Sequence, residues 1–296
     1  MSQYFTRSFR VDWSDANANG RVHLPTYFRY LIETAWDWGA AVGLGIEDSR
    51  KLGLAWVVRE TQIHLLRPLL PDDTFELTIW LAHWRRVHGT RYFELVHKAS
   101  GAVIAQGAQE VVTLDMESMR PKAVPKAIVE RMTIETPRTV PYRPFPVFSD
   151  TSGRAVRQQR TVTWQDLDTL EHVNNTKYVA FAEDAAVAAL AEFGWAPKDF
   201  KAQGLAVKSD GVQIQYLTPA VWGETLELET HLSELGPESG VWHVAIAREG
   251  DREPVARCVI AWSIVDATDG TLRKIPEELY GRLHAYFTPA ETALQG

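Results

Sequence analysis

Trp164-Gln165-Asp166-Leu167-Asp168-Thr169-Leu170-Glu171-His172-Val173-Asn174-Asn175-Thr176-Lys177-Tyr178 is matched, 151 positions upstream, by Trp13-Ser14-Asp15-Ala16-Asn17-Ala18-Asn19-Gly20-Arg21-Val22-His23-Leu24-Pro25-Thr26-Tyr27. Trp, Asp, Val and Tyr recur in place, and the same offset holds outward without a gap. Gly43 meets Gly194, and Gly53-Leu54-Ala55 meets Gly204-Leu205-Ala206. Gln62-Ile63 meets Gln213-Ile214, Asp115 meets Asp266, and Pro125 meets Pro276. Two copies are too few for a solenoid, so the pattern predicts a duplicated domain whose halves pair as an intramolecular pseudo-dimer. Pro137, Pro141, Pro144 and Pro146 lie between the copies. Prolines at this density cannot continue a helix or a central strand. The expected divisions are residues 1–135, an extended linker at 136–153, and residues 154–296.

Each copy opens with an alternating segment, Tyr4–Trp13 or Val156–Trp164, expected to be a strand. A polar loop leads into a long apolar stretch, Pro25–Leu44 or Asn175–Phe193. Each stretch is long enough for about 30 Å of helix. The second is apolar around most of its circumference, which predicts burial on most sides. Alternating runs follow, such as Phe75, Leu77, Ile79 and Leu81 between polar neighbours. Hairpin turns are expected at His88-Gly89, Ser100-Gly101, Gly236-Pro237 and Gly250-Asp251. The fold class is therefore α+β, with each copy an antiparallel sheet wrapped around a long central helix.

The chain has 296 residues, 45% of them hydrophobic, enough to build two cores. A net charge of -7 argues against a nucleic-acid partner, which needs a basic footprint. No apolar run is long enough to predict a membrane span, and the N-terminus shows no secretory signal. The single cysteine, Cys258, rules out an internal disulfide framework. It lies in an apolar run and is expected to be a buried filler. A cytoplasmic location is the expectation. The 11 Trp are expected to pack the cores.

The loop before the second helix concentrates the candidate chemistry. A helix N-terminus presents free N–H groups and favours negative charge, so it can hold a carbonyl oxygen that becomes an oxyanion. A carboxylate opposite it can activate water or attack directly. Asp168 is the candidate for that carboxylate, with His172 and Asn174 to position the parts. Asn175, Thr176 and Tyr178 are candidate substrate contacts, the N–H groups near Asn175 to Lys177 supplying the polarising donors. Asp166 recurs as Asp15 in the other copy and reads as a local structural cap. A cap is also the bland reading of Asp168. No cluster of His and Cys supports a metal site. No Gly-x-Ser-x-Gly elbow or dinucleotide fingerprint is present.

The pattern Asp-x-Asp-x-x-x-His-x-Asn-Asn-x-x-Tyr at residues 166–178 resembles the signature of hot-dog thioesterases of the 4-hydroxybenzoyl-CoA thioesterase class. The tandem layout resembles the acyl-ACP thioesterase family, as do Trp56-Val57-Val58-Arg59, Arg67-Pro68 and Thr78-Ile79-Trp80. The resemblance implies two tandem hot-dog domains with Asp168 as the catalytic carboxylate. It also implies hydrolysis of acyl thioesters carried by coenzyme A or acyl carrier protein, without a cofactor. Leu170 stands where plant members of that family place Asn, and Ala220 stands roughly where they place Cys or Glu. The carrier therefore stays open. Asn17 replaces Asp168 in the first copy and Arg21 replaces His172, so that half is expected not to use the carboxylate route. Asp15 and His23 leave a second, different site open there. Arg59 has two readings, a contact for the phosphate-bearing arm of the carrier and a structural ion pair. The rival function is a non-catalytic acyl-CoA or acyl-ACP binding protein.

Overall fold

The computed structural model describes residues 4–141, 144–148 and 154–287. The chain divides into two compact units, Met1–Pro144 and Phe145–Gly296. Unit 1 contains β1 (Phe5–Arg10), α1 (Leu24–Val42), α2 (Ile46–Leu52), β2 (Leu54–Leu65), β3 (Thr74–Arg85), β4 (His88–His97), β5 (Val103–Asp115) and α3 (Lys126–Met132). Unit 2 repeats the order with β6 (Val156–Thr161), α4 (Asn175–Glu192), α5 (Pro197–Ala202), β7 (Leu205–Tyr216), β8 (Thr225–Leu235), β9 (Ser239–Arg248), β10 (Pro254–Asp266) and α6 (Glu277–Phe287). The strands of unit 1 lie in the order β1-β3-β4-β5-β2, and those of unit 2 in the matching order β6-β8-β9-β10-β7. Strand neighbours within each unit run antiparallel. Each unit is the expected hot dog.

Local chemistry sets these elements. Pro25 occupies the first turn of α1, where its missing N–H costs nothing, and Gly43 ends the helix at φ 83°. Asn174 caps α4 through its side chain. On β3, Phe75, Leu77, Ile79 and Leu81 are at most 2% exposed and share one face. That face meets α1, since the Tyr30 ring lies 5.1 Å from Phe75 and 4.7 Å from Phe9. The duplication extends to irregularities. The bulge that skips Arg59 in β2 recurs at Asp210 in β7, and that at Ala82 in β3 recurs at Ser233 in β8. Bulges bend and twist a strand, so repeating them repeats the curl of the sheet.

Several expectations need correction. The opening strands stop at Arg10 and Thr161, and Trp13 and Trp164 start short 3-10 turns. The first hairpin turns at Arg86-Val87, with Arg86 at φ 56°, and not at His88-Gly89. Gly89 is instead a strand residue lying under an indole, where a Cβ would come within 2.5 Å of Trp84. The other three turns fall between strands as expected. The buried residues of α4 form one stripe, and Val187 is 41% exposed on the other side. Trp13, Trp36, Trp164 and Trp222 are exposed and so do not pack a core. Val140, inside the proline-rich segment, packs with Trp80 and Ile134 on the outer face of β3. The parts of that segment at Tyr142, Arg143 and 149–153 lie outside the described residues.

Candidate functional site

The loop of unit 2 is closed at its neck and held to the helix it precedes. Leu167 bridges Val173, and the Asn174 N–H donates to the Asp166 carbonyl at 2.8 Å. Inside the neck, the Asp168 N–H donates to the His172 carbonyl at 2.9 Å, and Glu171 N–H donates to the Asp168 carbonyl at 3.1 Å. Glu171 takes a left-handed φ of 62° to complete the turn. The Leu170 N–H donates to Asp168 Oδ1 at 2.8 Å. Asp168 is half-buried, and its Oδ2 makes no hydrogen bond among the described residues. One carboxylate oxygen thus builds the turn and the other is left over.

Asp166 supports this loop from below. It is 2% exposed, and its Oδ2 accepts from the Thr163 N–H at 2.9 Å and the Thr163 hydroxyl at 2.8 Å. Arg160 and Lys177 stand 3.7 Å and 3.6 Å from Oδ1. Burial opposes ionisation, but the Thr163 donors and the two cations outweigh it and hold the carboxyl below its usual range. The guanidinium of Arg160 lies 4.0 Å from the centre of the Phe181 ring, tying β6 to α4. Arg160 was not singled out in the sequence. It stands in a polar strand position, and nothing in the local pattern marks it.

The helix start offers fewer donors than the sequence led us to expect. Asn174 Oδ1 accepts from the Thr176 N–H at 2.9 Å and from its hydroxyl at 2.7 Å. The Lys177 N–H donates to the Asn174 carbonyl at 2.8 Å. The cap therefore consumes the donors of Thr176 and Lys177, leaving the Asn175 N–H unengaged among the described residues. Tyr178 is 3% exposed, and its hydroxyl accepts from the Ala220 N–H at 2.9 Å, which locks α4 to the β7–β8 loop. Burial pushes this phenol up to about 12. His172 meets Val221 through a backbone bridge. Arg59 belongs to unit 1, where it is exposed at the bulge of β2.

The matching loop of unit 1 has the same frame. Asn17 Oδ1 accepts from the Asn19 N–H at 2.9 Å, and the Asn17 N–H donates to the Arg21 carbonyl at 2.7 Å. Tyr27 accepts from the Leu69 N–H at 3.1 Å, as Tyr178 does from Ala220. Asp15 accepts both oxygens' bonds from Arg29 at 2.8 Å and one from the Tyr30 hydroxyl at 2.7 Å. Arg21, at the position of His172, loses basicity through burial and holds Nη1 inside without a partner among the described residues.

Among the described residues no helix is long and apolar enough to cross a membrane. Comparison with known proteins matches the family model of the thioesterase-like superfamily twice, at residues 11–132 and 162–283. The chain is 23% identical over 188 residues to a chloroplastic palmitoyl-acyl carrier protein thioesterase of Cuphea hookeriana, covering 60% of this chain and 45% of that one. It is 28% identical over 134 residues to the long-chain acyl-CoA thioesterase FadM of Escherichia coli, covering 42% of this chain and 98% of that protein. The chain thus spans less than half the length of the plant relative. Two solved structures superpose on most of it. One is an acyl-ACP thioesterase from Bacteroides thetaiotaomicron, with a TM-score of 0.73, 19% identity, and coverage of 89% of this chain and 100% of that one. The other is the 12:0-ACP thioesterase from Umbellularia californica, with a TM-score of 0.71, 18% identity, and coverage of 89% and 98%. With both halves matched by one family model and the tandem hot-dog fold shared, the chain belongs to the thioesterase-like superfamily.

Proposed function

We propose that the protein hydrolyses acyl thioesters, carried by coenzyme A or acyl carrier protein, with Asp168 as the working carboxylate. One observation carries this reading. Unit 1 builds the same turn with the amide of Asn17, so the turn does not need a charge at this position. A carboxylate at 168 is surplus to the local structure, and its Oδ2 is unengaged.

In the general-base route, Oδ2 takes a proton from water and the hydroxide attacks the thioester carbonyl carbon. The Asn175 N–H stabilises the oxyanion, aided by the positive end of α4. Collapse breaks the C–S bond, and the thiolate takes up the proton. In the nucleophilic route, Asp168 attacks the carbonyl carbon, the C–S bond breaks and the thiolate leaves, taking a proton from water, to give a mixed anhydride, which water then cleaves to the free acid and the Asp168 carboxylate. His172 positions the carbonyl in either case, and Asn174 holds the donor by capping the helix. Thr176 and Tyr178 act through the frame: both hydroxyls are engaged within it. Arg59 is the candidate contact for the carrier's phosphates. The buried Cys258 fits a reducing compartment, and we place the activity in the cytoplasm.

Thiol release from acyl-CoA and acyl-ACP panels tests the function. Wild type should turn over at least one carrier class. Asp168→Asn should keep the fold and lose activity. A protein that binds acyl-CoA tightly but never releases thiol would establish the binding-protein reading instead.

A further inference from the structure

The interior of unit 1 contains a cation where unit 2 contains a ring. Arg91 on β4 pairs across the sheet with Leu81 on β3 and Gln109 on β5, and Gln109 pairs with Thr61 on β2. Leu81 follows Phe75 in the alternation of β3, so all four residues point to the side that faces α1. The Arg91 Nη2 donates to Gln109 Oε1, and Gln109 Nε2 donates to Thr61 Oγ1 at 3.0 Å. Gln109 and Thr61 are 2% and 1% exposed.

No carboxylate balances this charge among the described residues. Burial alone lowers the guanidinium's basicity, to about 10, and Nε is buried without a partner. Glu110, the next residue on β5, points to the opposite face and accepts from Thr90. A buried, unpaired charge is among the most costly groups a core can hold. The same positions in unit 2 are Trp242, Ile260 and Val212, each at most 2% exposed. The fold therefore does not require polarity here.

The residues around Arg91 are smaller than those around Trp242. Arg91 is half-buried, whereas Trp242 is 1% exposed. Trp242 packs against Trp262 at 5.9 Å and Phe287 at 5.7 Å, and Phe287 packs against Phe193 at 5.8 Å. The counterparts of Trp262, Phe287 and Phe193 are Val111, Thr136 and Val42. α3 is also one turn shorter than α6, with 7 residues against 11, so the turn bearing Phe287 has no helical equivalent.

We propose that unit 1 carries a recognition site for an organic carboxylate, built from Arg91 and oriented by Gln109 and Thr61 in the space between α1 and its sheet. A guanidinium fork with free donors matches a carboxylate in geometry and charge, and the Val42, Val111 and Leu81 side chains suit an attached hydrocarbon. Two sources share this chemistry: the far end of a dicarboxylic acyl group and a free fatty acid. The first rests on the hydrolase reading given above and the second does not.

Two measurements on the whole chain test it. Calorimetry with octanoate and 1-octanol should show the acid binding at least ~10-fold more tightly to wild type, with the difference lost in Arg91→Leu. Thiol release should be compared for octanoyl-CoA and the CoA monothioester of octanedioic acid. If the site serves the far end of the acyl group, wild type prefers the acidic thioester and Arg91→Leu reverses the order. If the site holds a free acid, the turnover ratio is unchanged and the calorimetric difference stands. No preference for carboxylate in either measurement, or a preference that survives in Arg91→Leu, overturns the proposal. Turnover of neither thioester counts against the hydrolase reading, and calorimetry still decides this one. Should circular dichroism show Arg91→Leu unfolded, Arg91→Gln is the deciding variant, with the same outcomes.

Discussion

The loops at 164–178 and 13–27 fold alike and differ in what they have left over. Both close with a backbone pair across the turn, both use an Asp or Asn side chain to cap it, and both lock the following helix through a tyrosine hydroxyl. In unit 2 the turn leaves an unused carboxylate oxygen in the loop that leads into α4. In unit 1 it leaves an amide and a half-buried arginine. The cores differ in the opposite sense: unit 2 is filled with aromatic rings at the place where unit 1 holds Arg91. Duplication has preserved the backbone frame and divided the polar groups, one half retaining a candidate catalytic loop and the other an interior polar strip.

The strongest way to break this comparison is Asp168→Asn. It converts the second loop to the chemistry of the first with the turn intact, so thiol release should fall by about 10²–10⁴ with unchanged melting. Retained activity would remove Asp168 from the mechanism. Next is Gly107→Ala, at the position where unit 2 has Cys258. A Cβ at 107 would lie 1.9 Å from the Gln62 carbonyl oxygen and 2.6 Å from the Phe93 ring, so denaturant unfolding should show a loss of about 3 kcal/mol or more. Cys258→Ala should cost about 1 kcal/mol, as a small buried truncation.

Asp166→Asn should lower stability at pH 7 by about 1–3 kcal/mol, since it removes a charge that Thr163, Arg160 and Lys177 support. The folded state holds this carboxyl below its unfolded pKa of about 4, so its contribution is full above that pH and disappears as pH falls through the lower folded value. Urea titrations should therefore show the wild-type advantage shrinking as pH falls below about 4 and continuing to shrink toward the lower folded value. Asn174→Ala removes the acceptor for Thr176 and should cost about 1 kcal/mol, with a few-fold loss of rate from a loosened helix start. The smallest effect belongs to Asn17→Ala, where thiol release should change by less than about 3-fold, the side chain serving only its own turn. A loss equal to that of Asp168→Asn would show that the first loop takes part in the chemistry.

The sequence by itself determined the duplication, the order of strands and helix in each half, and the loop in which the candidate residues are concentrated. These are legible because strand and helix periods and turn residues are written locally, and because a constant offset lets each copy check the other. Tertiary structure decided how side chains share donors and acceptors. Asn175, Thr176 and Lys177 look equivalent as a string, but the cap of Asn174 leaves only the first of them unengaged. The same limit hid Arg160 and Arg91. Arg160 lies in a strand of mostly polar residues and Arg91 takes an inward position in the phase of Phe93 and Leu95, and the importance of each depends on what the curled sheet folds over it. Gly89 and Trp164 went astray for a related reason: close approach of an indole fixes the one, and exposure at a loop the other. Residue type gives the capacity to donate, accept or fill space, and only packing decides which of these is used.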